Sequence, residues 1–437
     1  MGKIVIASVS GALLEWYDFF VYGTASALVF GTVFFPNEDP TTATIASFAT
    51  FGAGFFARPL GGLVFGELGD RIGRKAALMW TLGIIGTATV LIGLVPSYGQ
   101  IGVWAPIILV ILRLVQGFGL GGEYGGAALL TIEHAPEKKR GFFGSLPQMA
   151  ASAGILLATG IFALCEAFLS EEQMLSFGWR IPFLLSSIML LVGVFVRSHT
   201  EESPEFLKTR QNQDHNTKNN KSKSSILIAF RHYPRQLFLA FGARLAETVS
   251  SNIINAFGIS YIATQLGMDR QIPLNGMLIA SAIGIIACPI IGFVSDRVGL
   301  RKIYIIGAFA VVIMAFPFFG LLNTQNVALI WIALIVAYNL GPTMMFAVQP
   351  TLFTTMFGPN VRYTGLSFAY QFSAIIGGLT PMICASLIAH GNGAPWGVAA
   401  YLTFIAVISL ICTLRIKSQD LAAIVAKEEL SKEDQNA

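Results

Sequence analysis

Twelve apolar runs of about 20 residues or more recur along the whole length of this chain. Because an α-helix rises about 1.5 Å per residue, each run is long enough to cross a hydrocarbon layer about 30 Å thick. Only 12% of the residues are charged, about half the share that is usual in soluble proteins. The runs also lack the alternating apolar and polar period of barrel strands. The sequence therefore predicts an all-α membrane protein with twelve transmembrane helices.

The predicted spans form two groups of six, separated by a polar stretch. They are residues 4–30, 43–68, 76–95, 104–132, 141–169 and 178–198, then 236–264, 273–294, 302–322, 327–357, 361–388 and 396–415. This pattern predicts four regions, namely an N-terminal six-helix half over 1–198, a cytoplasmic linker over 199–230, a C-terminal six-helix half over 231–415 and a cytoplasmic tail over 416–437.

The basic residues are distributed unevenly between the two sides of this topology. Of the 28 Lys and Arg residues, 23 fall on the side that holds both termini, and only Arg180 and Arg270 fall on the other side. The remaining three, Arg58, Arg113 and Arg244, lie inside predicted spans. Because short loops rich in Lys and Arg stay in the cytoplasm, we predict cytoplasmic termini. The same distribution accounts for the net charge of +4 without a role for nucleic acid.

Two loops, one in each half, share the same order of acidic, basic and glycine residues. Asp70-Arg71 in the first loop is matched 226 residues later by Asp296-Arg297, and Gly and further bases follow in both. Such a repeat is expected of a transporter built from two parallel halves. An Asp at this position can pair with an Arg of a neighbouring loop or with a helix N-terminus in the other half. The predicted gating residues are Asp70, Arg71, Arg74, Asp296, Arg297 and Arg301.

These loops are similar to the signature loop of the major facilitator superfamily, and Arg113–Gly119 resembles its fourth-helix signature. The segments Glu15–Phe19, Ala57–Gly62, Gly121–Gly126 and Gly178–Phe183 resemble the metabolite:proton symporters of that superfamily. The resemblance implies the major facilitator fold, with two pseudo-symmetric six-helix halves. It also implies a monomer that imports metabolites with protons across a bacterial inner membrane.

Within that family, three segments resemble bacterial shikimate transporters: Ala243–Glu247, Gln349-Pro350 with Phe353, and Arg362–Gly365. The chain departs from those transporters at Glu15, where they carry Asp. The carboxylate is retained, but its reach is longer by one methylene group.

Four acidic residues inside predicted spans are candidates for carrying the coupled proton: Glu123, Asp18, Glu15 and Glu247. An ionised group at the bilayer centre costs about 2.5 to 3.5 kcal/mol, so each one needs a partner, water or a function. Glu15 and Asp18 are three residues apart, so they share a helix face and could share a proton. Glu123 lies between two pairs of glycines, which permit close packing and access of water. The alternative role for these acids is a buried structural hydrogen bond.

The buried arginines Arg113, Arg244 and Arg58 are candidate anchors for an acidic metabolite, because a guanidinium offers a planar fork that matches a carboxylate. Arg244 and Glu247 share a face of helix seven, so a substrate carboxylate could compete with Glu247 for the arginine. Other side chains are candidates for hydrogen bonds to substrate hydroxyls, or otherwise for interhelical bonds. They are Tyr22, Tyr124, Asn252, Asn255, Gln349, Tyr370 and Gln371.

The sequence thus predicts a proton-coupled symporter that imports a small carboxylate, such as shikimate or a similar hydroxylated cyclic acid, by rocker-switch alternating access. Three alternatives stay open: an osmolyte symporter for proline or betaine, a dicarboxylate or citrate symporter, and a non-transporting nutrient receptor on the same fold. The chain has no phosphate-binding loop, metal-ligand cluster or nucleophile triad, so we expect no enzymatic activity and no cofactor. The expected partners are the carboxylate, protons and membrane lipid.

Overall fold

The computed structural model of the protein describes residues 2–72, 74–121, 131–132, 135–198, 230–357 and 361–416. Over these residues the chain is helical throughout and contains no β-strand. The spanning segments of this described part are α1 (Gly2–Leu28), α2 (Pro40–Ile72), α3 (Arg74–Leu94), α4 (Trp104–Gly121), α5 (Met149–Phe168), α6 (Arg180–Ser198), α7 (Pro234–Asn252), α8 (Gln271–Val298), α9 (Leu300–Leu322), α10 (Val327–Thr354), α11 (Arg362–His390) and α12 (Trp396–Leu414).

Short helices join or extend these segments. A lead-in helix, Arg140–Ser145, precedes α5, and α10 contains a π-helical turn, Asn339–Thr343. Beyond Asn252, α7 continues through two further π-helical turns, Ile253–Phe257 and Tyr261–Gln265. The remaining short helices are Phe30–Phe34, Tyr98–Ile101, Glu137–Lys139, Glu171–Gln173, Met174–Gly178 and Gly258–Ser260.

The helices coincide with the twelve predicted spans, and the predicted all-α fold is therefore confirmed. Among the described residues, eight helices are long and apolar enough to cross a membrane, and a bent pair, Glu171–Gly178 with Arg180–Phe195, makes a ninth. Met79–Leu94 is apolar but shorter. The segments α1 and α7 carry buried charged side chains, which include Asp18 and Glu247. The predicted linker, 199–230, lies outside the described residues except for its last position.

Helix α2 begins at an aspartate cap. The backbone N–H groups of Thr41 and Thr42 donate to Asp39 Oδ1 at 3.0 and 3.1 Å, and the Thr42 hydroxyl donates to Oδ2. Pro40 follows the cap at the first helical position, where its missing N–H costs nothing. The hydrogen bonds from Thr42 and Thr41 hold the pKa of the Asp39 carboxyl below its usual value. This cap fixes the connection between α1 and α2.

Helices α2 and α4 contact each other along their backbones. A Cβ added to Gly117 would overlap the carbonyl of Gly54, and one added to Gly61 would overlap the carbonyl of Phe118. Only glycine allows this approach. Since α2 also packs against α11, and α5 packs against α8, these two pairs make the most extensive contacts between the halves. We call the end of the bundle that carries the α2–α3 and α8–α9 connections the basic face, and the other end the opposite face.

Candidate functional site

Two cavities lie between the halves, one above the other. The inner cavity lies nearer the basic face and has a volume of about 20 Å³, and the outer cavity has a volume of about 10 Å³. Phe20 of α1 and Ile155 of α5 line both cavities, so these two side chains form the partition between them. Each cavity has room for about one or two waters, so the halves must move apart before a metabolite can enter.

The inner cavity is lined by helices of both halves. Trp16 and Phe346 supply aromatic walls, and Ser152 and Tyr338, which are hydrogen-bonded at 3.0 Å, supply polar groups across the interface. Glu247 of α7 also lines it, and among the described lining residues of both cavities this is the one charged side chain. No arginine of the described part lines either cavity.

Glu247 forms a close but incomplete pair with Arg244. The Arg244 Nε lies 3.6 Å from Glu247 Oε2, which is too long for a good hydrogen bond, and neither atom has a hydrogen-bond partner among the described residues. Arg244 Nη1 donates instead to the Tyr370 carbonyl at 2.7 Å and to Ser373 Oγ at 2.6 Å. Arg244 and Glu247 are only 3% and 5% exposed, so the pair is buried. Within the described residues, Arg244 Nε is a donor and Glu247 Oε2 an acceptor that each remain open to a hydrogen bond.

The Arg244–Glu247 pair belongs to a cluster that bridges the two halves. We call Glu15, Arg58, Arg244, Glu247 and Tyr370 the interfacial charge cluster. The guanidinium of Arg244 lies 3.5 Å from the centre of the Tyr370 ring. From the N-terminal half, Glu15 and Arg58 lie within electrostatic range of each other and of Tyr370. Each half thus contributes one acid and one base to the cluster.

This cluster borders the inner cavity. Tyr370 packs against Phe346, Ala151 and Trp16, and those three residues line the cavity. Glu247, which pairs with Arg244, is the member of the cluster that lines the cavity. Sequence spacing alone identified the α7 pair but gave no indication that α1, α2 and α11 complete the cluster.

Arg113 occupies a different place, inside the N-terminal half. It is 1% exposed, and its guanidinium lies over the Tyr22 ring at 4.2 Å and the Phe51 ring at 5.0 Å. Its Nη1 donates to Gln116 Oε1 at 2.5 Å, and its Nε donates to the Phe51 carbonyl at 3.3 Å. Tyr22 in turn donates to Thr50 Oγ1 at 2.8 Å. These contacts make Arg113 and Tyr22 part of a packed polar network.

Asp18 lies in the same network. The Ser186 hydroxyl of α6 donates to Asp18 Oδ1 at 2.6 Å, and Thr89 of α3, whose hydroxyl donates to the Ile85 carbonyl at 2.8 Å, lies beside this carboxyl. Gln116 connects the network to Arg113, because its Nε2 donates to Thr89 Oγ1 at 2.7 Å. Asp18 therefore faces α3 and α6, whereas Glu15 faces the interfacial charge cluster, although the two acids are only three residues apart.

The halves are bonded to each other at the basic face. The carboxylate of Asp296 accepts hydrogen bonds from the N–H groups of Gly141, at 2.7 Å, and Phe142, at 3.0 Å, and so caps the lead-in helix of the other half. Gln371 Nε2 donates to the Gly121 carbonyl at 3.0 Å. Asp296, in the second repeated loop, therefore contacts a helix N-terminus in the other half. The sequence predicted either this contact or a pair with an Arg of a neighbouring loop.

They are also bonded at the opposite face. Arg270 pairs with Glu166 of α5 at 3.4 Å and with Glu171, just beyond α5, at 3.2 Å. Gln271 Nε2 donates to the Ala163 carbonyl at 2.8 Å. Because both faces are bridged and the two cavities lie between them, the structure shows an occluded arrangement. The sequence singled out Arg270 as an arginine on the sparsely charged side, but it did not indicate these partners.

The other predicted site residues are distributed as follows. Arg301 donates to the Thr413 and Leu414 carbonyls at 3.2 and 2.6 Å and so closes the end of α12, and Arg297 packs over the Phe293 ring at 4.6 Å. Gln349 is fully buried, and neither atom of its amide has a hydrogen-bond partner among the described residues. Glu123 and Tyr124 lie outside the described residues, as do the side chains of Asp70, Arg71 and Arg74.

The comparisons with known proteins agree with this architecture. Residues 3–424 match the family described as sugar (and other) transporter. The chain belongs to this family of major facilitator transporters. It is 41% identical over 421 residues to the shikimate transporter of Escherichia coli (strain K12), covering 96% of this chain and 95% of that protein. It is 38% identical over 435 residues to the inner membrane metabolite transport protein YhjE of the same organism, covering 96% and 95%.

A proline/betaine transporter of Salmonella typhimurium is 37% identical over 425 residues, covering 95% of this chain and 83% of that protein. Among solved structures, a D-xylose-proton symporter superposes with a TM-score of 0.71 at 20% identity, covering 93% of this chain and 96% of that one. At that identity the likeness shows the fold. The predicted family and twelve-helix membrane fold are thus confirmed, and these relatives are transporters rather than enzymes.

Proposed function

We propose that this transporter is a proton-coupled symporter that imports a small carboxylate, with shikimate or a similar hydroxylated cyclic acid as its substrate. The observation that carries the proposal is the Arg244–Glu247 pair at 3.6 Å, in which Glu247 lines the inner cavity and each partner keeps one unused hydrogen-bonding position. The similarity to a shikimate transporter supports this substrate class. We place the protein in a bacterial inner membrane as a monomer, with both termini in the cytoplasm.

Charge balance at this pair explains the coupling. A proton on Glu247 leaves Arg244 without a counter-ion, and a substrate carboxylate then restores neutrality. A carrier that holds only the proton or only the substrate keeps an unbalanced buried charge, which is costly to enclose. The empty and the doubly loaded forms are both neutral at this site, so they can pass through the occluded arrangement. The proton gradient then drives accumulation of the acid.

A zwitterionic osmolyte is the second candidate substrate. The inner cavity places Trp16, Phe20 and Phe346 around the Glu247 carboxylate, and aromatic faces together with a carboxylate suit a quaternary ammonium group. The similarity to proline/betaine transporters supports this candidate. Competition by glycine betaine against labelled shikimate would distinguish the two classes of substrate.

Reconstitution in liposomes tests the proposal. We expect uptake of labelled shikimate to be driven by an inward proton gradient in the native protein. In Glu247→Gln, a permanently neutral side chain cannot release a proton, so gradient-driven accumulation should be lost while counterflow exchange of labelled for unlabelled shikimate continues. The matched control is Glu172→Gln, an exposed acid at the opposite face, which should behave like the native protein.

Accumulation that survives in Glu247→Gln would reject Glu247 as the proton carrier. In that case Glu123→Gln becomes the next variant to test, because Glu123 is another of the four candidate carriers. Loss of both accumulation and exchange in Glu247→Gln would assign Glu247 to substrate binding or to folding.

A further inference from the structure

The C-terminal end of α12 is surrounded by basic side chains. Arg301 of α9 donates through Nε to the Thr413 carbonyl at 3.2 Å and through Nη2 to the Leu414 carbonyl at 2.6 Å. Arg235 of α7 donates through Nη2 to the Arg415 carbonyl at 3.4 Å. Because these three carbonyls are consecutive, the two guanidinium groups lie close together, at the residue that carries the Arg415 side chain. The helices α7, α9 and α12 therefore bring three arginines to one place on the basic face.

Capping of α12 accounts for only part of this positive charge. Positive groups at a helix C-terminus interact favourably with its exposed carbonyls, which explains Arg301 and Arg235. Arg415 and the neighbouring Lys302 are exposed, and neither side chain forms a hydrogen bond or an ion pair with a described residue. Among the described residues on the basic face of the C-terminal half, the one acid is Asp296, which caps the lead-in helix. This end of the bundle therefore presents positive charge to its surroundings.

Exposed apolar side chains lie one helical turn from three of these bases. Residues three or four apart share a helix face. The pairs of a base and an apolar residue are Arg235 with Phe238 on α7, Lys302 with Ile306 on α9, and Arg415 with Ile411 on α12. The three apolar side chains are between 46% and 68% exposed. Since α7 and α9 run away from the basic face and α12 runs toward it, each apolar side chain lies deeper in the membrane than its base.

We infer that the end of α12, together with the adjoining ends of α7 and α9, binds one phospholipid whose head group carries a net negative charge. The two neighbours both pack against α12, so the three pairs form one continuous surface. The head group binds the bases, and the acyl chains lie on the exposed apolar side chains one turn deeper. Basic sites between helices at the cytoplasmic side suit such head groups. The inference does not depend on which substrate the protein carries.

The donors that are available explain the preference for net charge. Arg301 uses two of its five N–H groups on α12, so it has donors left for a phosphate oxygen. Arg415 and Lys302 can bind further oxygens of the head group. A zwitterionic head group brings an ammonium that these bases repel. The site therefore selects a lipid with net negative charge over a zwitterionic lipid with the same acyl chains.

The experiment measures lipid binding directly. The full-length protein, delipidated in a neutral detergent, is titrated with dioleoylphosphatidylglycerol or with dioleoylphosphatidylethanolamine, which have the same acyl chains and differ in net charge. Native mass spectrometry gives the Kd of the first bound lipid. A base near an anionic lipid surface strengthens binding by about fivefold. Because several bases converge here, we expect phosphatidylglycerol to bind at least tenfold more tightly than phosphatidylethanolamine.

The test variant is Lys302→Gln combined with Arg415→Gln. Both side chains are exposed and hold no hydrogen bond within the described part, so the variant should unfold at the native midpoint. At about fivefold per base, its Kd for phosphatidylglycerol should rise about 25-fold, with little change for phosphatidylethanolamine. The matched control is Lys138→Gln combined with Lys139→Gln, which removes two exposed charges from the same face of the other half. It should keep the native Kd.

A second variant and a competitor separate a lipid from a free anion. Phe238→Ala keeps every base and removes the most exposed of the three apolar side chains, so it should weaken binding of both lipids. A site for free phosphate would not respond to this change. Inorganic phosphate should displace phosphatidylglycerol no better than chloride at the same ionic strength.

Four outcomes would overturn the inference. Equal Kd values for the two lipids in the native protein would show that net charge is not recognised, and this result needs no variant to fold. A native Kd for phosphatidylglycerol in the Lys302 and Arg415 variant would place the lipid elsewhere. An equal loss in the Lys138 and Lys139 control would show a general effect of charge on this face. Displacement by inorganic phosphate beyond that by chloride would show an anion site without a lipid.

Discussion

Arg244 and Arg113 are both buried arginines, but they have different surroundings. Arg244 has an Nε without a hydrogen-bond partner next to a cavity-lining acid, whereas Arg113 is enclosed by aromatic rings and bonded to Gln116. Lysine has a single ammonium and cannot hold the Tyr370 carbonyl and Ser373 while also binding a carboxylate. We therefore expect Arg244→Lys to raise the KM for shikimate at least tenfold, as measured by initial uptake rates.

Arg113→Lys is the control for that substitution, because it makes the same change at an equally buried position whose side chain lines neither cavity. It should keep the native KM and lower the thermal unfolding midpoint in detergent. Equal KM values for the two lysine variants would contradict the assignment of Arg244 as the carboxylate anchor.

Asp18 shows the same distinction between binding and packing. Its carboxylate accepts from Ser186 and lies in a network that joins α1, α3, α4 and α6 within one half. Asparagine can still accept the Ser186 hydrogen bond but lacks the charge, so Asp18→Asn should cost about 1 to 3 kcal/mol of stability. We expect a lower unfolding midpoint with proton-driven accumulation retained. Loss of accumulation at native stability would instead support Asp18 as a proton carrier.

At the scale of the helix, hydropathy is a local property, and this explains why all twelve spans could be predicted from the sequence. The rotation of each helix about its axis depends on its neighbours and could not be predicted in the same way. Glu15 and Asp18 share a face by spacing, yet one faces the charge cluster and the other faces Ser186. The π-helical turns of α7 and α10 could not be predicted from the sequence, because they follow from packing between helices. The aromatic walls of the inner cavity could not be distinguished from lipid-facing phenylalanines for the same reason.

The lead-in helix Arg140–Ser145 gives a prediction at the element scale. Its N-terminal N–H groups are capped by Asp296 of the other half, and removal of such a cap costs about 0.5 to 2 kcal/mol. Asp296→Ala should therefore shift the equilibrium toward opening at the basic face by about 2- to 30-fold, because about 1.4 kcal/mol corresponds to a tenfold change in an equilibrium constant. Asp296→Asn retains one acceptor and should shift it less. The readout is alkylation of Cys288, a buried residue that lines the inner cavity, with Cys165, Cys384 and Cys412 replaced by Ser.

For the whole molecule, the two faces hold the occluded arrangement by contacts of different kinds, a helix cap at the basic face and ion pairs at the opposite face. At the opposite face, Arg270 pairs with Glu166 and with the exposed Glu171, and a surface ion pair contributes about 0.2 to 1 kcal/mol. Because Arg270→Gln removes both pairs, we expect it to favour opening at the opposite face by about 2- to 30-fold, an effect of the same size as that of Asp296→Ala. An impermeant thiol reagent should then label Cys288 from outside right-side-out vesicles in Arg270→Gln, and from outside inside-out vesicles in Asp296→Ala. If both variants were labelled from the same side, the two contacts could not be closures of opposite faces. If each were labelled from the reverse side, the basic face would not be cytoplasmic.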